Sequence, residues 1–447
     1  MRRLAIACLL LLAGIASATA QAAPVERVRS PGGIEAWLVR DHSVPLLSIE
    51  FSFRGGSALD PQGREGLSDM TAALIDEGAG ELDSQGFQGR LEDLSIRLGF
   101  DAGQDTFRGR LKTLNANRDE AVRLLNLALT RPRFDDEPVE RIRNQILAGI
   151  RARSRDPDHI AGHIWARAVF PHHPYGRPGE GTATSVAAIT TADMRGLVRE
   201  RFARDRLIVG VSGDIEPAQL GLLLDQAFAG LPATSKAPMG VAKAKIAAAG
   251  ETFVAEQDVP QSVAIFSQPG IARRDPDYYV AQVLNHILGG GGFTSRLYAE
   301  VREARGLAYS INTSLHPLAG AALITGSVAT ANAGIAESLT LIRAEWRRMR
   351  EQGVTEAELE DAKRYLTGSF PLAFTSTDSL ARMLVSMQYY DLGIDFLDKR
   401  NGYIDAVTRE DIHRLARRLL DADALTVVVV GKPKDVKATA PTPDIGG

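Results

Sequence analysis

The sequence is poor in cysteine and in long apolar runs. Its only cysteine is Cys8, which lies in an apolar stretch near the N-terminus. After that stretch, no run approaches the roughly 20 apolar residues that a membrane helix needs. A mature chain without cysteine can form no disulfide and has no thiolate chemistry, so disulfide scaffolds and cysteine hydrolases are excluded.

The chain also lacks a strong excess of charge. It has 52 basic and 55 acidic residues, a net charge of −3 with histidine neutral, and no basic stripe with interleaved aromatic residues. This balance argues against nucleic acid as a partner. A G-x-S-x-G nucleophile elbow is absent as well, which argues against a serine hydrolase.

Residues 1–22 have the features of a secretory signal peptide. A basic start at Arg2 and Arg3 precedes an apolar stretch too short to span a bilayer, and small residues lead to a cleavage point near Ala22. The sequence therefore predicts an exported protein without a membrane span, located in the periplasm.

The mature chain contains an internal duplication. Residues 190–215 match residues 408–433 at an offset of 218. In both stretches a threonine is followed three residues later by aspartate, then by an amphipathic helix and an apolar strand that ends in glycine. A repeat of this length indicates a duplicated domain rather than a solenoid.

The duplication divides the chain into segments. Residues 231–251 are rich in Ala, Pro, Gly and Lys and are predicted to link the halves. We assign residues 23–230 to the N-terminal domain, residues 252–434 to the C-terminal domain and residues 435–447 to a flexible tail.

Short strands and long helices alternate within each half. An α+β fold follows, with two homologous α/β sandwich domains, each an antiparallel-rich sheet covered by helices. In the first half the patterns predict strands near 34–40, 45–54 and 100–114, and helices near 66–77, 84–98, 118–130 and 136–153.

This layout resembles the pitrilysin/insulinase family of inverzincin metallopeptidases. Four stretches carry the resemblance, in order along the chain: GREGLSDMTAALIDEG (63–78), FDDEPVERIRNQILAGI (134–150), HHPYGRP (172–178) and LGGGGFTSRLYAEVREARGLAYSI (288–311). The match covers essentially the whole mature chain. It implies the duplicated α+β fold and an origin in zinc-dependent peptide hydrolysis.

The resemblance also identifies a zinc site that has lost its ligands. Active members carry H-x-x-E-H on the first of these helices and a further glutamate ligand on a later one. Here the three positions are Asp69, Ala72 and Ala73, and the later ligand falls at about Gly149. Alanine and glycine have no donor atoms, so we expect no metal in this chain.

The second half keeps a pair of residues that matches the family. Arg302 and Tyr309 stand seven apart in REARGLAY, where active members place an Arg/Tyr pair. The resemblance implies that this pair contacts the substrate backbone near zinc and stabilises the tetrahedral intermediate. Arginine offers forked donors and tyrosine one directed hydroxyl, which suits an oxyanion.

A glycine run precedes this pair. It lacks the Gly-Lys-Ser/Thr ending of a phosphate loop, so we interpret Gly290, Gly291 and Gly292 as a flexible turn that contacts peptide. An extended peptide or unfolded polypeptide also binds by adding a strand to a sheet edge. The sequence does not indicate which edge.

Our first hypothesis is a heterodimer with a homologous H-x-x-E-H subunit. The partner holds the zinc, this chain supplies the Arg/Tyr pair in trans, and peptide hydrolysis needs both. On this hypothesis the chain alone is inactive.

Two other hypotheses remain open. In one, the chain is a metalloenzyme with its own histidine site, formed by His159, His163, His172 and His173; no carboxylate evident in the sequence supports the helical pair of histidines. In the other, the chain is a non-proteolytic scaffold or assembly subunit.

Overall fold

The structure is a computed structural model that describes residues 24–445. The predicted signal peptide therefore lies outside the described residues. Strands form two sheets. They are β1 (Glu26–Arg29), β2 (Glu35–Arg40), β3 (Leu46–Arg54), β4 (Arg97–Ala102), β5 (Thr106–Leu114), β6 (Leu207–Gly213), β7 (Thr252–Glu256), β8 (Gln261–Pro269), β9 (Ala308–Pro317), β10 (Ala322–Ala331) and β11 (Thr426–Gly431).

Helices cover both sheets. They are α1 (Leu67–Leu74), α2 (Ser84–Asp93), α3 (Arg118–Thr130), α4 (Asp136–Arg153), α5 (Pro157–Val169), α6 (Ala183–Ala188), α7 (Thr191–Arg201), α8 (Pro217–Phe228), α9 (Tyr278–Asn285), α10 (Arg296–Tyr298), α11 (Ile335–Gln352), α12 (Glu356–Gly368), α13 (Thr377–Tyr389), α14 (Phe396–Asp405) and α15 (Arg409–Leu419). π-Helical turns extend α9 through Gly290 and α10 through Glu303. Within the described part of the chain, no helix is long and apolar enough to cross a membrane.

The two sheets repeat one topology, which confirms the predicted duplicated α+β fold. The first has the strand order β1-β2-β6-β3-β5-β4 and the second the order β7-β11-β8-β10-β9. The pairs β2/β6 and β7/β11 are parallel, and every other pairing is antiparallel. Strands β4 and β9 are therefore equivalent edges of the two sheets.

Capping residues explain where the repeated helices α7 and α15 begin. Thr190 and Asp193 form a capping box at α7, and Thr408 and Asp411 form the same box at α15. In each case the hydroxyl accepts from the N3 amide while the aspartate accepts from the cap amide, so both ends of the box satisfy backbone donors.

The predicted C-terminal end of one helix is wrong. Helix α2 stops at Asp93 instead of continuing to 98, and the predicted strand 100–114 is a hairpin of β4 and β5. Leu91, Leu94 and Leu98 have helical spacing, but Ser95 adopts a left-handed φ of 52° that ends the helix. Leu98 then packs on the core from a strand.

Each sheet is covered on its second face by a helix from the other half. Helix α5, from the first half, lies on β8 and β11, and helix α13, from the second half, lies on β3 and β6. The Trp165 indole donates to Ser267 Oγ at 2.7 Å across one contact. Gln388 donates to the Val209 carbonyl at 2.8 Å across the other.

This exchange explains why the central strands are apolar throughout. Strands β6 (LIVGVSG) and β11 (TVVVVG) are buried along almost their whole length. A strand covered on both faces does not alternate between apolar and polar residues, because neither face meets water.

The close approach of α13 to β6 requires a glycine. A Cβ at Gly210 would lie 2.9 Å from Leu384 Cβ and would also collide with the Ala381 carbonyl oxygen. Both obstacles belong to the packed face and backbone of α13, so neither can move aside like a flexible side chain.

We predict that Gly210→Ala destabilises the protein by about 1–3 kcal/mol, because the added methyl overpacks the contact between the halves. Gly89→Ala is the matched control: it lies in α2 with open space around its Cβ position, and we expect it to stabilise by up to about 1 kcal/mol. Urea unfolding monitored by circular dichroism checks both, and equal stability of the two variants would contradict the packing argument.

Candidate functional site

Helix α1 carries the three positions of the lost zinc motif. It packs against α4, which carries Gly149, and against the edge strand β4. Ala72 is buried and Ala73 is exposed, so only the partly buried Asp69 offers a donor atom. The helix geometry of the motif remains although the ligands are gone.

An arginine lies where the later ligand would project. The Arg153 guanidinium folds back over its own helix, so that a Cβ at Gly149 would lie 3.3 Å from Nη1. Burial raises the pKa of Asp69, the charge of Glu180 raises it further, and the charge of Arg153 lowers it. Zinc does not fit here, because one carboxylate and a nearby cation cannot coordinate it.

The Arg/Tyr pair forms a small cluster at the start of β9. Arg302 lies in the π-helical turn after α10 and donates from Nη1 to the Tyr309 carbonyl oxygen at 2.9 Å. Its guanidinium also lies 4.6 Å from the centre of the Tyr309 ring. The Tyr309 side chain is 81% exposed. The tertiary structure therefore joins the two residues, whereas their catalytic role stays a prediction.

Two aromatic residues that sequence analysis missed complete this cluster. The Arg302 guanidinium lies 4.9 Å from the Tyr298 ring centre and 5.9 Å from that of Phe293, and the two rings meet edge to face. Tyr298 precedes Arg302 by four residues on one helical turn, which is the signal that could have identified it. The stacked rings hold the arginine in one orientation.

The glycine run leads directly into this cluster. Gly290 and Gly292 are exposed, and Gly292 has a left-handed φ of 57°. A Cβ at Gly291 would lie 2.7 Å from the His286 carbonyl oxygen, so the turn is too tight for a side chain there. Gly290 borders a pocket of about 340 Å³ that Thr313 also lines. Peptide binding by these glycines remains a prediction.

The four histidines do not form one site. His173 Nδ1 accepts from the Tyr175 amide and its Nε2 lies 2.9 Å from the Ala242 carbonyl oxygen, so it supports a tight turn. His172 is exposed next to it. Only His159 and His163, one turn apart on α5, lie together.

The expectation that no carboxylate supports this pair is wrong. His159 Nε2 lies 2.8 Å and His163 Nε2 lies 3.0 Å from Glu180 Oε1. Glu180 follows His163 by 17 residues, in the loop before α6, and no local pattern marks it in the sequence. The segment between α5 and α6 brings the carboxylate back to the histidines.

Comparisons with known proteins agree with this architecture. Residues 188–366 match the family model described as Peptidase M16 inactive domain. The chain is 27% identical to the protein named Non-peptidase homolog YmxG of Helicobacter pylori, over 89% of this chain and 91% of that one. It is 28% identical to the Uncharacterized zinc protease ML0855 of Mycobacterium leprae, over 69% of each.

A solved structure shows the same fold over the whole length. The crystal structure of a peptidase M16 inactive domain from Pseudomonas fluorescens superposes with a TM-score of 0.86 at 27% identity, and covers 94% of this chain and 100% of that one. Fold and similarities define a metallopeptidase-like protein. Residues 188–366 thus match a domain of the peptidase M16 family, and the similarities over the rest of the chain confirm the resemblance to the pitrilysin/insulinase peptidases.

We predict that restoring the lost donors is not sufficient for tight zinc binding. The substitutions Asp69→His, Ala72→Glu, Ala73→His and Gly149→Glu supply the donors, but the Arg153 guanidinium remains close to the metal. Adding Arg153→Ala should tighten zinc binding at least about tenfold, because a like charge a few ångströms away costs more than 1 kcal/mol.

Isothermal titration of both variants with zinc measures this difference. Both variants should also carry His163→Gln, so that zinc binding by the histidines of α5 is weakened to the same extent in each. Equal affinities would show that Arg153 does not oppose a cation at this position.

Proposed function

We propose that this chain is the non-catalytic, substrate-binding subunit of a zinc metalloendopeptidase heterodimer. A homologous subunit with an intact H-x-x-E-H motif would hold the zinc, which supplies Lewis-acid activation of the peptide carbonyl and of water. This chain would contribute Arg302 and Tyr309 to that site. The name of the Helicobacter pylori relative supports the absence of peptidase activity in the lone chain.

The observation that carries this proposal is the contrast between two equivalent sheet edges. Beside β4, helix α1 offers only Asp69 where active members have the H-x-x-E-H donors. Beside β9, Arg302 is stacked on aromatic rings and Tyr309 points almost entirely into solvent. Exposing a large aromatic side chain gains no burial energy, so a surface that a partner or substrate covers accounts for it better than core packing.

The donors of Arg302 are available to a ligand. Its Nη1 makes one hydrogen bond, to Tyr309, and within residues 24–445 no carboxylate lies at salt-bridge distance from its guanidinium. Arginine carries five N–H donors, so several remain free to bind a carbonyl or oxyanion. The aromatic stacking orients them in advance, which reduces the entropy lost when substrate binds.

Strand β9 is a suitable edge for an extended peptide. It pairs with β10 on one side, and its other side is unpaired among the strands of the described chain. Tyr309 is the second residue of β9, and the glycines 290–292 lie close by. A peptide added to this edge would bind through backbone groups and pass the Arg/Tyr pair.

Two further points concern the location of the protein and the alternative scaffold role. Export to the periplasm rests on the signal-peptide features of residues 1–22. A scaffold or assembly role would not require Arg302 and Tyr309 to remain exposed and oriented together.

We predict that the chain alone cleaves no peptide and that mixing it with an H-x-x-E-H homologue produces peptidase activity. In the mixture, Arg302→Ala or Tyr309→Phe should lower kcat on the order of 100-fold, the usual effect of removing one oxyanion donor. A fluorogenic peptide assay measures the rates, and analytical ultracentrifugation checks that the heterodimer still forms.

Two other residues provide matched controls. Arg305 lies one turn beyond Arg302 but is paired with Glu300 at 2.6 Å, and the partly exposed Tyr403 lies against Tyr279. Arg305→Ala and Tyr403→Phe should retain activity. If they lose as much as the Arg302 and Tyr309 variants, or if the mixture is no more active than the homologue alone, the proposal fails.

A further inference from the structure

Two histidines and a glutamate converge away from the lost zinc motif. His159 and His163 project from one face of α5, and their Nε2 atoms lie 2.8 and 3.0 Å from the same oxygen of Glu180. The ligand atoms of the three residues all lie within 4.8 Å of one another. No other group of three potential metal ligands occurs in the part of the chain that the structure describes.

These residue types and this spacing suit a zinc-like ion. Two histidines four apart on a helix, with a carboxylate from elsewhere, are a recurrent ligand set for zinc. Tetrahedral coordination at 2.0–2.2 Å separates ligand atoms by ~3.4 Å. The observed nitrogen–oxygen distances of 2.8 and 3.0 Å need to open only slightly, which side-chain rotation can provide.

Charges of both signs surround the three residues. Asp69 lies near Glu180, Arg153 lies near Asp69, and Arg167 and Arg177 line the adjoining cavity. The arrangement of the three ligands, rather than the surrounding charge, therefore supports the site.

The site is sheltered but accessible. The side chains of His159, His163 and Glu180 are 19%, 23% and 27% exposed, respectively. His163 and Glu180 line a cavity of about 580 Å³, whose wall also includes Tyr175 and Arg177. An ion can enter from this cavity, and a water molecule there can complete its coordination.

We propose that His159, His163 and Glu180 form a binding site for one divalent ion of the zinc class. The site differs from the family position, which lies on α1 and α4. It does not rest on the proposed function, and it departs from the expectation that the chain carries no cofactor.

The bound ion would fix helix α5, which packs on the second sheet, to a loop beside the first sheet. Helix α5 lies on the second sheet, and Trp165 anchors it to Ser267 there. The loop of Glu180 packs against the start of α1, where a Cβ at Gly66 would lie 2.6 Å from the Glu180 carbonyl oxygen. Coordination therefore links a helix on the second sheet to a loop of the first half.

Metal titration of the full mature chain tests the proposal. The protein is purified without a polyhistidine tag, treated with EDTA, dialysed and titrated with zinc chloride in a calorimeter. We expect one zinc per chain. His163→Gln or Glu180→Gln should weaken binding at least about 100-fold, because each removes a ligand and loss of a supporting contact alone costs up to that much.

His172→Gln is the matched control, because His172 is an exposed histidine outside the cluster. It should bind zinc like the unmodified chain. If the unmodified chain takes up no zinc, or if His172→Gln weakens binding as much as His163→Gln, the proposal is overturned.

A second measurement guards against variants that fold poorly. The unmodified chain loaded with cobalt(II) should show the intense visible absorption of a four-coordinate ion, and zinc should raise its melting temperature. Absence of both effects overturns the proposal. Arg302→Ala should leave zinc uptake by the lone chain unchanged, so failure of this site and failure of the proposed heterodimer can be told apart.

Discussion

Each half of this protein buries one face of its sheet under a helix that belongs to the other half. Helix α5 covers the second sheet and helix α13 covers the first. The contact is tight enough that Gly210 on β6 leaves no room for a methyl group beneath α13. Each half has its own main core on one face of its sheet, but without this exchange the apolar strands β6 and β11 would meet water on the other face.

The exchange also determines where functional groups can lie. It leaves β4 and β9 as equivalent outer edges, one beside a helix without its zinc ligands and the other beside an oriented Arg/Tyr pair. In addition, α5 carries two histidines to the boundary between the halves, where Glu180 meets them. The same packing thus supports both the proposed substrate edge and the proposed metal site.

Local patterns predicted the elements that depend on local interactions. The capping boxes at Thr190 and Thr408 marked the repeated helices, because a cap is formed within four residues of chain. The helical extension past Asp93 was predicted wrongly, since leucines with helical spacing also suit a turn into a buried strand. Of the candidate sites, Arg302 and Tyr309 were identified by resemblance, but their aromatic neighbours Phe293 and Tyr298 were not.

By itself the sequence determined the duplication, the fold class and the lack of the family's full donor set at Asp69, Ala72, Ala73 and Gly149, because these depend on residue type and order. Only the tertiary structure decided that α5 and α13 exchange sheets, that Arg153 lies beside the lost zinc position, and that Glu180 joins His159 and His163. These are contacts between residues distant in the chain or turned toward each other by packing. These contacts form when whole faces of helices and sheets are buried against each other. No local sequence pattern encodes that burial.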